Sequence, residues 1–188
     1  TKILPHNFCE LIDASIKYLK GKKFELFPDF LTGGMIDISN YNDGKRGGKV
    51  RVRSHIEKVD NKSVAIKDVP YGVTVPQLIE SIVKANDNGK IKIKKVTDAT
   101  AAEVEIEVQL ASGVTPDQTI DALYAFTSCE VSISPNICVI IDDKPVFITA
   151  SELLKSATDH TRDLLRLELE LDLRELENNW HYSSLEKI

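Results

Sequence analysis

Apolar side chains recur at the three- and four-residue spacing of amphipathic helices in three segments of the chain. The first follows Asn7, which forms a capping-box-like start with Glu10, and it closes at Gly21. The second has a proline near its start, and the third follows a Thr-Pro cap. The pattern therefore predicts helices at about 7–21, 76–85 and 115–126.

Between these helices, polar and apolar residues alternate with the period of two that a half-buried strand produces. The clearest alternation runs from Lys49 to Glu57, and a turn at Asp60 separates it from an expected partner at Val64–Val69. Further strands are predicted at 91–96, 104–110, 130–134 and 137–142, with a short one at 35–38. The sequence thus predicts an α+β fold, a mainly antiparallel sheet with helices packed on it in two layers.

The hydrophobic period alone does not decide whether the last forty or so residues form a strand or a helix. Five leucines from Leu165 to Leu173 alternate strictly with charged residues, as they would in a strand. However, no β-branched residue occurs from Arg162 to Tyr182, and Leu, Glu and Arg are strong helix formers. We therefore predict one helix from Thr149 to Trp180, about 48 Å long, whose wide apolar face needs a partner helix. Part of that face is expected to meet chain outside this sequence.

Three segments follow from this organisation. Residues 1–44 form a helical and irregular lead-in, residues 45–148 an α/β domain, and residues 149–188 the start of a long helix. The chain opens on Thr1 without an initiator methionine and stops at Ile188 inside a helical pattern. We therefore expect a piece of a longer protein.

Composition excludes several classes of protein. With 188 residues, 42% of them hydrophobic, the chain can bury a core, so disorder of the whole chain is excluded. It has neither a run of about 20 apolar residues nor a signal-peptide layout, so we expect a cytoplasmic protein without a membrane partner. Its three cysteines are an odd number without C-x-x-C spacing, which indicates neither a disulfide framework nor a zinc site.

The formal net charge of −5 conceals a strong segregation of charge. Lysine and arginine concentrate between Lys45 and Lys95, whereas acidic residues dominate the last forty or so positions. A local basic surface can bind phosphate on a protein that is acidic overall. The candidate chemistry of this chain is therefore sought in its basic part.

A glycine-rich turn followed by a basic strand is the most informative stretch. The turn, which contains Lys45 and Arg46, lets backbone approach a polyanion closely. Period two then puts Lys49, Arg51 and Arg53 on one strand face, about 6.6 Å apart, close to the phosphate spacing of nucleic acid. The hypothesis is sequence-independent duplex binding; the alternative is a solvated outer strand face. A second basic cluster is weaker evidence for DNA binding, because lysines on an edge strand also protect it from aggregation. It consists of Lys84, Lys90, Lys92, Lys94 and Lys95.

No self-contained catalytic or metal-binding pattern is visible. His6 and Cys9 stand one helical turn apart, but no third ligand lies nearby in sequence. The glycine-rich turn is not followed by Gly-Lys-Ser/Thr, so it is not a P-loop. We expect neither a metal nor a cofactor in this chain.

Five segments of the chain form an ordered set of motifs. They are Ile3-Leu4-Pro5-His6-Asn7-Phe8, Phe27–Gly34, Gly47–Arg53, Lys67–Val73 with Leu78-Ile79-Glu80, and Ser132–Asn136. Together and in this order, they resemble motifs of the A subunit of bacterial type IIA DNA topoisomerases, although Leu4 and Leu31 replace family prolines. The Lys-Ile-Lys-Lys run and the Ser-Ile-Ser-Pro-Asn form look more like topoisomerase IV of the Bacteroides group than like gyrase.

The resemblance implies the tower domain and the first stretch of a coiled-coil arm. The family's winged-helix domain, with a catalytic tyrosine preceded by arginine, would lie upstream; none of the five tyrosines here follows an arginine. No residue of this piece is therefore expected to be catalytic. Ile3 matches the isoleucine that inserts between base steps and bends the gate duplex. The implied DNA-binding set is Ile3, Lys45, Arg46, Lys49, Arg51 and Arg53.

The parent enzyme implied is an ATP-dependent isomerase that passes one duplex through a transient break in another. Its partners would be double-stranded DNA, a second A subunit and the B subunit, and the B subunit would bind Mg²⁺ and ATP. The piece alone is expected to be inactive. Alternatives are a protein-interaction module that docks through its long helix, the same region of the gyrase A subunit, and an independent metal-dependent nuclease.

Overall fold

Three antiparallel sheets and four helices make up residues 2–186, the part of the chain that this computed structural model describes. The helices are α1 Phe8–Leu19, α2 Val75–Asp87, α3 Pro116–Phe126 and α4 Ala150–Leu185. The strands are β1 Met35–Asn40, β2 Lys49–Arg53, β3 Ile56–Lys58, β4 Ser63–Ile66, β5 Ile93–Asp98, β6 Ile106–Leu110, β7 Glu130–Ile133, β8 Cys138–Ile141 and β9 Lys144–Phe147. The predicted α+β class with a long C-terminal helix is confirmed.

The strands form a three-stranded sheet β1-β2-β7, a four-stranded sheet β3-β4-β6-β5 and a hairpin β8-β9. The expected single strand from Lys49 to Glu57 is divided between the two larger sheets. Its second half, β3, pairs with β4 as predicted, but β2 pairs with β1 and β7. The chain changes sheet at Ser54 and His55, where the His55 amide donates to Asp68 Oδ1 at 2.8 Å instead of to a strand.

Each of the two larger sheets covers a core of its own. Under the four-stranded sheet, α2 and α3 contribute Leu78, Ile82 and Leu123, all fully buried. The side chains of β2 that face inward, Val50 and Val52, are also fully buried under the three-stranded sheet. Leu4, Phe30, Tyr41 and Ile133 complete this second core.

Helix α4 is 36 residues long, about 54 Å, and within residues 2–186 it packs against the rest of the chain near its beginning. A capping box between Thr149 and Glu152 starts it, as predicted. Near α1, Tyr18 donates to Asp159 at 2.7 Å, but every side chain from 161 to 186 is exposed, including seven leucines between 164 and 176. No helix within residues 2–186 combines the length and apolar character needed to cross a membrane.

Candidate nucleic-acid interface

The basic strand β2 lies in the centre of the three-stranded sheet and shows two different faces. Its valines point into the core, while Lys49, Arg51 and Arg53 are exposed on the other side. This arrangement follows from the strand period of two. The three cations predicted to share one face do share it.

Two carboxylates from the neighbouring strands lie beside the arginines of β2. Asp37 of β1 is directly opposite Arg51, and Glu130 of β7 is directly opposite Arg53. Arg51 donates to Asp37 Oδ2 from Nη2 at 2.6 Å and from Nε at 3.2 Å, and its Nη1 is 3.9 Å from Glu130. Arg53 Nε donates to the same Glu130. The exposed cations of β2 are therefore interleaved with acids.

The sequence pattern identifies neither carboxylate as part of this face. Asp37 stands in the short strand predicted at 35–38, where period two sets its side, but nothing local shows which strand lies opposite. Hydrogen bonds from Ser39, followed by that from Arg51, lower the pKa of Asp37 to about 2, so this carboxylate is charged at neutral pH.

Arg53 is held from a second direction by an aromatic ring. Its guanidinium carbon lies 5.1 Å from the ring centroid of Tyr124, within the range of a cation–π interaction. The Tyr124 hydroxyl in turn donates to the Ser54 carbonyl at 2.8 Å, and burial raises its pKa. The ring therefore fixes Arg53 independently of Glu130.

The glycine-rich turn before β2 has an unusual backbone. Asn42, Asp43 and Gly44 all have positive φ, at 50°, 51° and 74°. Gly48 has no room for a side chain, because an added Cβ would lie 2.4 Å from the Tyr41 carbonyl oxygen. Between these positions the predicted site residues Lys45 and Arg46 are exposed. The glycines are thus required by the path of the turn itself.

Asp43 connects this turn to the long helix. Its carboxylate accepts from the Ser151 hydroxyl at 3.0 Å and from the Ser151 amide at 3.3 Å. Ser151 lies in the first turn of α4, where backbone amides lack helical partners and favour a negative charge. The Asp43 side chain therefore joins the glycine-rich turn to the first turn of α4.

Ile3 lies at the point where the N-terminal segment joins the end of β7. Lys2 and Asn136 exchange backbone hydrogen bonds of 2.8 and 2.9 Å, which fix the direction of the segment. Leu4 enters the core at 3% exposure, whereas Ile3 is 47% exposed. An apolar, β-branched side chain is thus presented to solvent from a hydrogen-bonded backbone.

His6 links the Ile3 segment to the glycine-rich turn. Its Nδ1 is 2.9 Å from the Leu4 carbonyl oxygen, and its Nε2 is 3.2 Å from the Tyr41 hydroxyl. A neutral ring that donates from Nδ1 and accepts from Tyr41 satisfies both contacts. Burial lowers the pKa of His6, which favours that neutral form, and burial together with Asp43 raises the pKa of Tyr41 to about 12.

The second lysine cluster has a different setting. Lys94 and Lys95 lie on β5, an edge strand of the four-stranded sheet. Lys84 pairs with Glu80 at 2.7 Å, and Lys90 lies 5.5 Å from the ring centroid of Phe126. Within residues 2–186, no group of three or more His, Cys, Asp or Glu side chains could hold a metal ion.

Comparison with known proteins gives one consistent result. The family model for the A subunit of DNA gyrase and topoisomerase IV matches residues 1–188. The DNA topoisomerase 4 A subunit of Borreliella burgdorferi is 40% identical over 187 residues, which are 100% of this chain and 30% of the relative. The DNA gyrase A subunits of Lawsonia intracellularis and Chlamydia pneumoniae are 29% and 27% identical, over 96% of this chain and 24% of each relative. The chain thus spans less than a third of these relatives.

Proposed function

Because this chain belongs to the family of DNA gyrase and topoisomerase IV A subunits, we propose that it is the DNA-binding tower part of a type IIA topoisomerase. Topoisomerase IV is the favoured member, since the relative at 40% identity carries that name and the gyrase relatives are more distant. The parent enzyme, a cytoplasmic isomerase, would pass one duplex through a transient break in another. In it, this part would bind and bend the duplex that is cut.

The observation that carries this proposal is the exposed row of Lys49, Arg51 and Arg53 on β2. Alternate residues of a strand are about 6.6 Å apart, so neighbouring cations can contact neighbouring phosphates of one backbone. The contacts would involve no base edges, and the binding would be independent of sequence. Lys45 and Arg46, exposed on the adjoining turn, would extend the same row.

Ile3 supplies the element that would bend the duplex. An apolar side chain inserted between base steps unstacks them at a cost of a few kcal/mol, which wrapped phosphate contacts offset. Such a side chain must be accessible and supported by a firm backbone. The 47% exposure of Ile3 and the paired hydrogen bonds of Lys2 next to it meet both requirements.

The nucleophilic tyrosine is proposed to lie outside this chain. Three of its tyrosines are engaged structurally: Tyr18 donates to Asp159, Tyr124 to the Ser54 carbonyl, and Tyr41 contacts His6. Their pKa values are all raised, Tyr18 mainly by its hydrogen bond to Asp159 and the others by burial. A raised pKa disfavours the phenolate, the nucleophilic form. Alone, the chain would therefore bind DNA without cleaving it, while the B subunit would bind Mg²⁺ and ATP.

A salt titration tests DNA binding by this chain. A labelled duplex of about 30 base pairs should be retained with an affinity that falls steeply between about 50 and 200 mM salt. The double variant Arg51→Ala with Arg53→Ala should lower the affinity about tenfold or more and reduce the salt slope by about 2. Lys92→Ala with Lys94→Ala removes the same charge near β5 and should change neither quantity substantially.

Two results would contradict the proposal: no salt-sensitive retention, or equal losses in the two double variants. Metal-dependent cleavage of the duplex would instead favour an independent nuclease.

A second function is favoured by the exposed leucines of α4. Seven exposed leucines between 164 and 176 lie on a helix whose contacts with the rest of the described chain, residues 2–186, are near its start. We propose that this face docks against a helix of another chain segment, of a second A subunit or of the B subunit. Apolar docking of this kind is insensitive to moderate salt, which separates it from phosphate binding.

A further inference from the structure

The arginines of β2 differ from ordinary phosphate-binding residues because they already hold carboxylates. A guanidinium recognises phosphate through N–H groups aligned along its edges. Asp37 occupies the edge of Arg51 formed by Nε and Nη2, and Glu130 lies near Nη1 on another side. Glu130 also accepts from Nε of Arg53. A phosphate that binds either arginine therefore competes with a carboxylate that is already in contact with it.

We propose that Asp37 and Glu130 compete with DNA phosphate for Arg51 and Arg53, and that these two acids set the strength of DNA binding on this face. The inference rests on the proposed function. Three cations and two carboxylates leave this face of the sheet with a formal charge of only +1. Neutralising either acid doubles that charge and releases guanidinium N–H groups for phosphate.

The exposure of the pairs makes such an exchange feasible. The side chains of Arg51, Arg53 and Asp37 are 47%, 45% and 39% exposed. Ion pairs in so much solvent contribute little to stability, so a phosphate can replace a carboxylate without a large loss. A fully buried pair would not exchange in this way, because breaking it leaves an uncompensated charge.

Glu130 is expected to be the stronger competitor. It contacts both arginines, whereas Asp37 contacts one, and its side chain is only 19% exposed. When Glu130 is neutralised, the Tyr124 ring still positions Arg53. The arginine would thus become available to phosphate without losing its place on the sheet.

Isosteric neutral variants of the 188-residue chain test the inference. Asp37→Asn and Glu130→Gln are each compared with wild type by fluorescence anisotropy on a random duplex of about 30 base pairs. Each variant should bind about two- to fivefold more tightly, with the larger gain for Glu130→Gln, and the double variant should bind more tightly still. The dependence on salt should steepen, by up to about 0.9 for each arginine released.

Glu105→Gln is the matched control. Glu105 accepts from Lys67 at 2.6 Å and its side chain is 48% exposed, compared with 39% for Asp37, but it lies beside the four-stranded sheet. The substitution removes the same charge and an exposed ion pair, here one made with a lysine. It should leave DNA affinity unchanged, and circular dichroism should show that all variants retain the wild-type fold.

The outcomes separate this inference from the proposed function. If Asp37→Asn and Glu130→Gln bind no more tightly than Glu105→Gln, or bind more weakly, the acids do not compete and the inference is wrong. If Arg51→Ala with Arg53→Ala still lowers the affinity about tenfold or more in that case, the proposed function stands. Absence of binding in wild type and in the double acid variant overturns both, whereas binding restored only in the double acid variant supports competition.

Discussion

The four-stranded sheet and the three-stranded sheet enclose their cores in different ways. The first packs against α2 and α3 through fully buried aliphatic side chains such as Leu78, Ile82 and Leu123. The core of the second includes Tyr41, whose hydroxyl contacts His6, and its edge adjoins the hydrogen-bonded Asp43. The core of the first sheet is thus mainly aliphatic, whereas the core of the second includes a tyrosine hydroxyl that contacts a histidine.

The two sheets also differ in how far apart in sequence their parts lie. All four strands and α2 of the first sheet fall between residues 56 and 110. The second sheet brings β7 to β2 across more than seventy residues and adds the N-terminal segment through Lys2 and Asn136. The candidate DNA-binding residues are on this second sheet, where distant segments meet. The local part of the chain therefore supplies the scaffold, and the assembled part supplies the site.

The largest expected effect compares how much the two cores contribute to the free energy of unfolding. Leu78→Ala should lower the free energy of unfolding by about 3 kcal/mol, because it leaves a cavity between α2 and the four-stranded sheet. Val52→Ala removes less volume from the other core and should cost about 2 kcal/mol. Urea denaturation monitored by circular dichroism measures both. A larger loss for Val52→Ala would reverse this ranking of the cores.

An intermediate effect concerns the glycine-rich turn of the three-stranded sheet. Gly48→Ala should cost about 2 to 3 kcal/mol, because the new methyl group would meet the Tyr41 carbonyl oxygen. Gly89→Ala, at the end of α2, meets nothing within 4 Å and should cost only about 1 kcal/mol for its positive φ. The same denaturation experiment applies. Equal losses would show that the turn relaxes around the added methyl group.

The smallest effect is a dependence on pH between about pH 7 and 5.5 that arises from His6 beside the three-stranded sheet. Burial lowers the pKa of His6 despite the opposing influence of Asp43 and Glu10. The unfolded chain then binds a proton more readily, so stability is full above about pH 6.5 and decreases as the pH falls below it. In His6→Gln, the decrease between pH 7 and 5.5 should be smaller than in wild type. His160→Gln, at an exposed position of α4, is the matched control for loss of a histidine.

Much of the fold is encoded locally and is predictable for that reason. Helix caps such as Asn7 and Thr149 are specified by residues within one turn, and they lie where the sequence places them. The long helix α4 is predictable despite its misleading period of two, because the ambiguous stretch contains strong helix formers and no β-branched residue. The placement of Lys49, Arg51 and Arg53 on one exposed face is predictable for the same reason, because it depends only on the geometry of a single strand.

The features that the sequence does not predict depend on contacts between distant residues. Asp37 and Glu130 face the arginines only because β1 and β7 adopt a particular register with β2.

The strand β9 is not predicted from the sequence, because the turn residues Asp142 and Asp143 indicate that the last strand ends there. Both residues have positive φ, 50° and 61°, and form a tight hairpin turn that leads into β9.

The contact between Asp43 and Ser151 has a mechanical consequence. It joins the glycine-rich turn to the base of a helix about 54 Å long. A rotation of about 5° at that joint would displace the far end of α4 by about 5 Å, about the spacing of neighbouring strands in a sheet. A small rotation where the turn meets α4 would thus be amplified into a larger movement at the distant end of the helix.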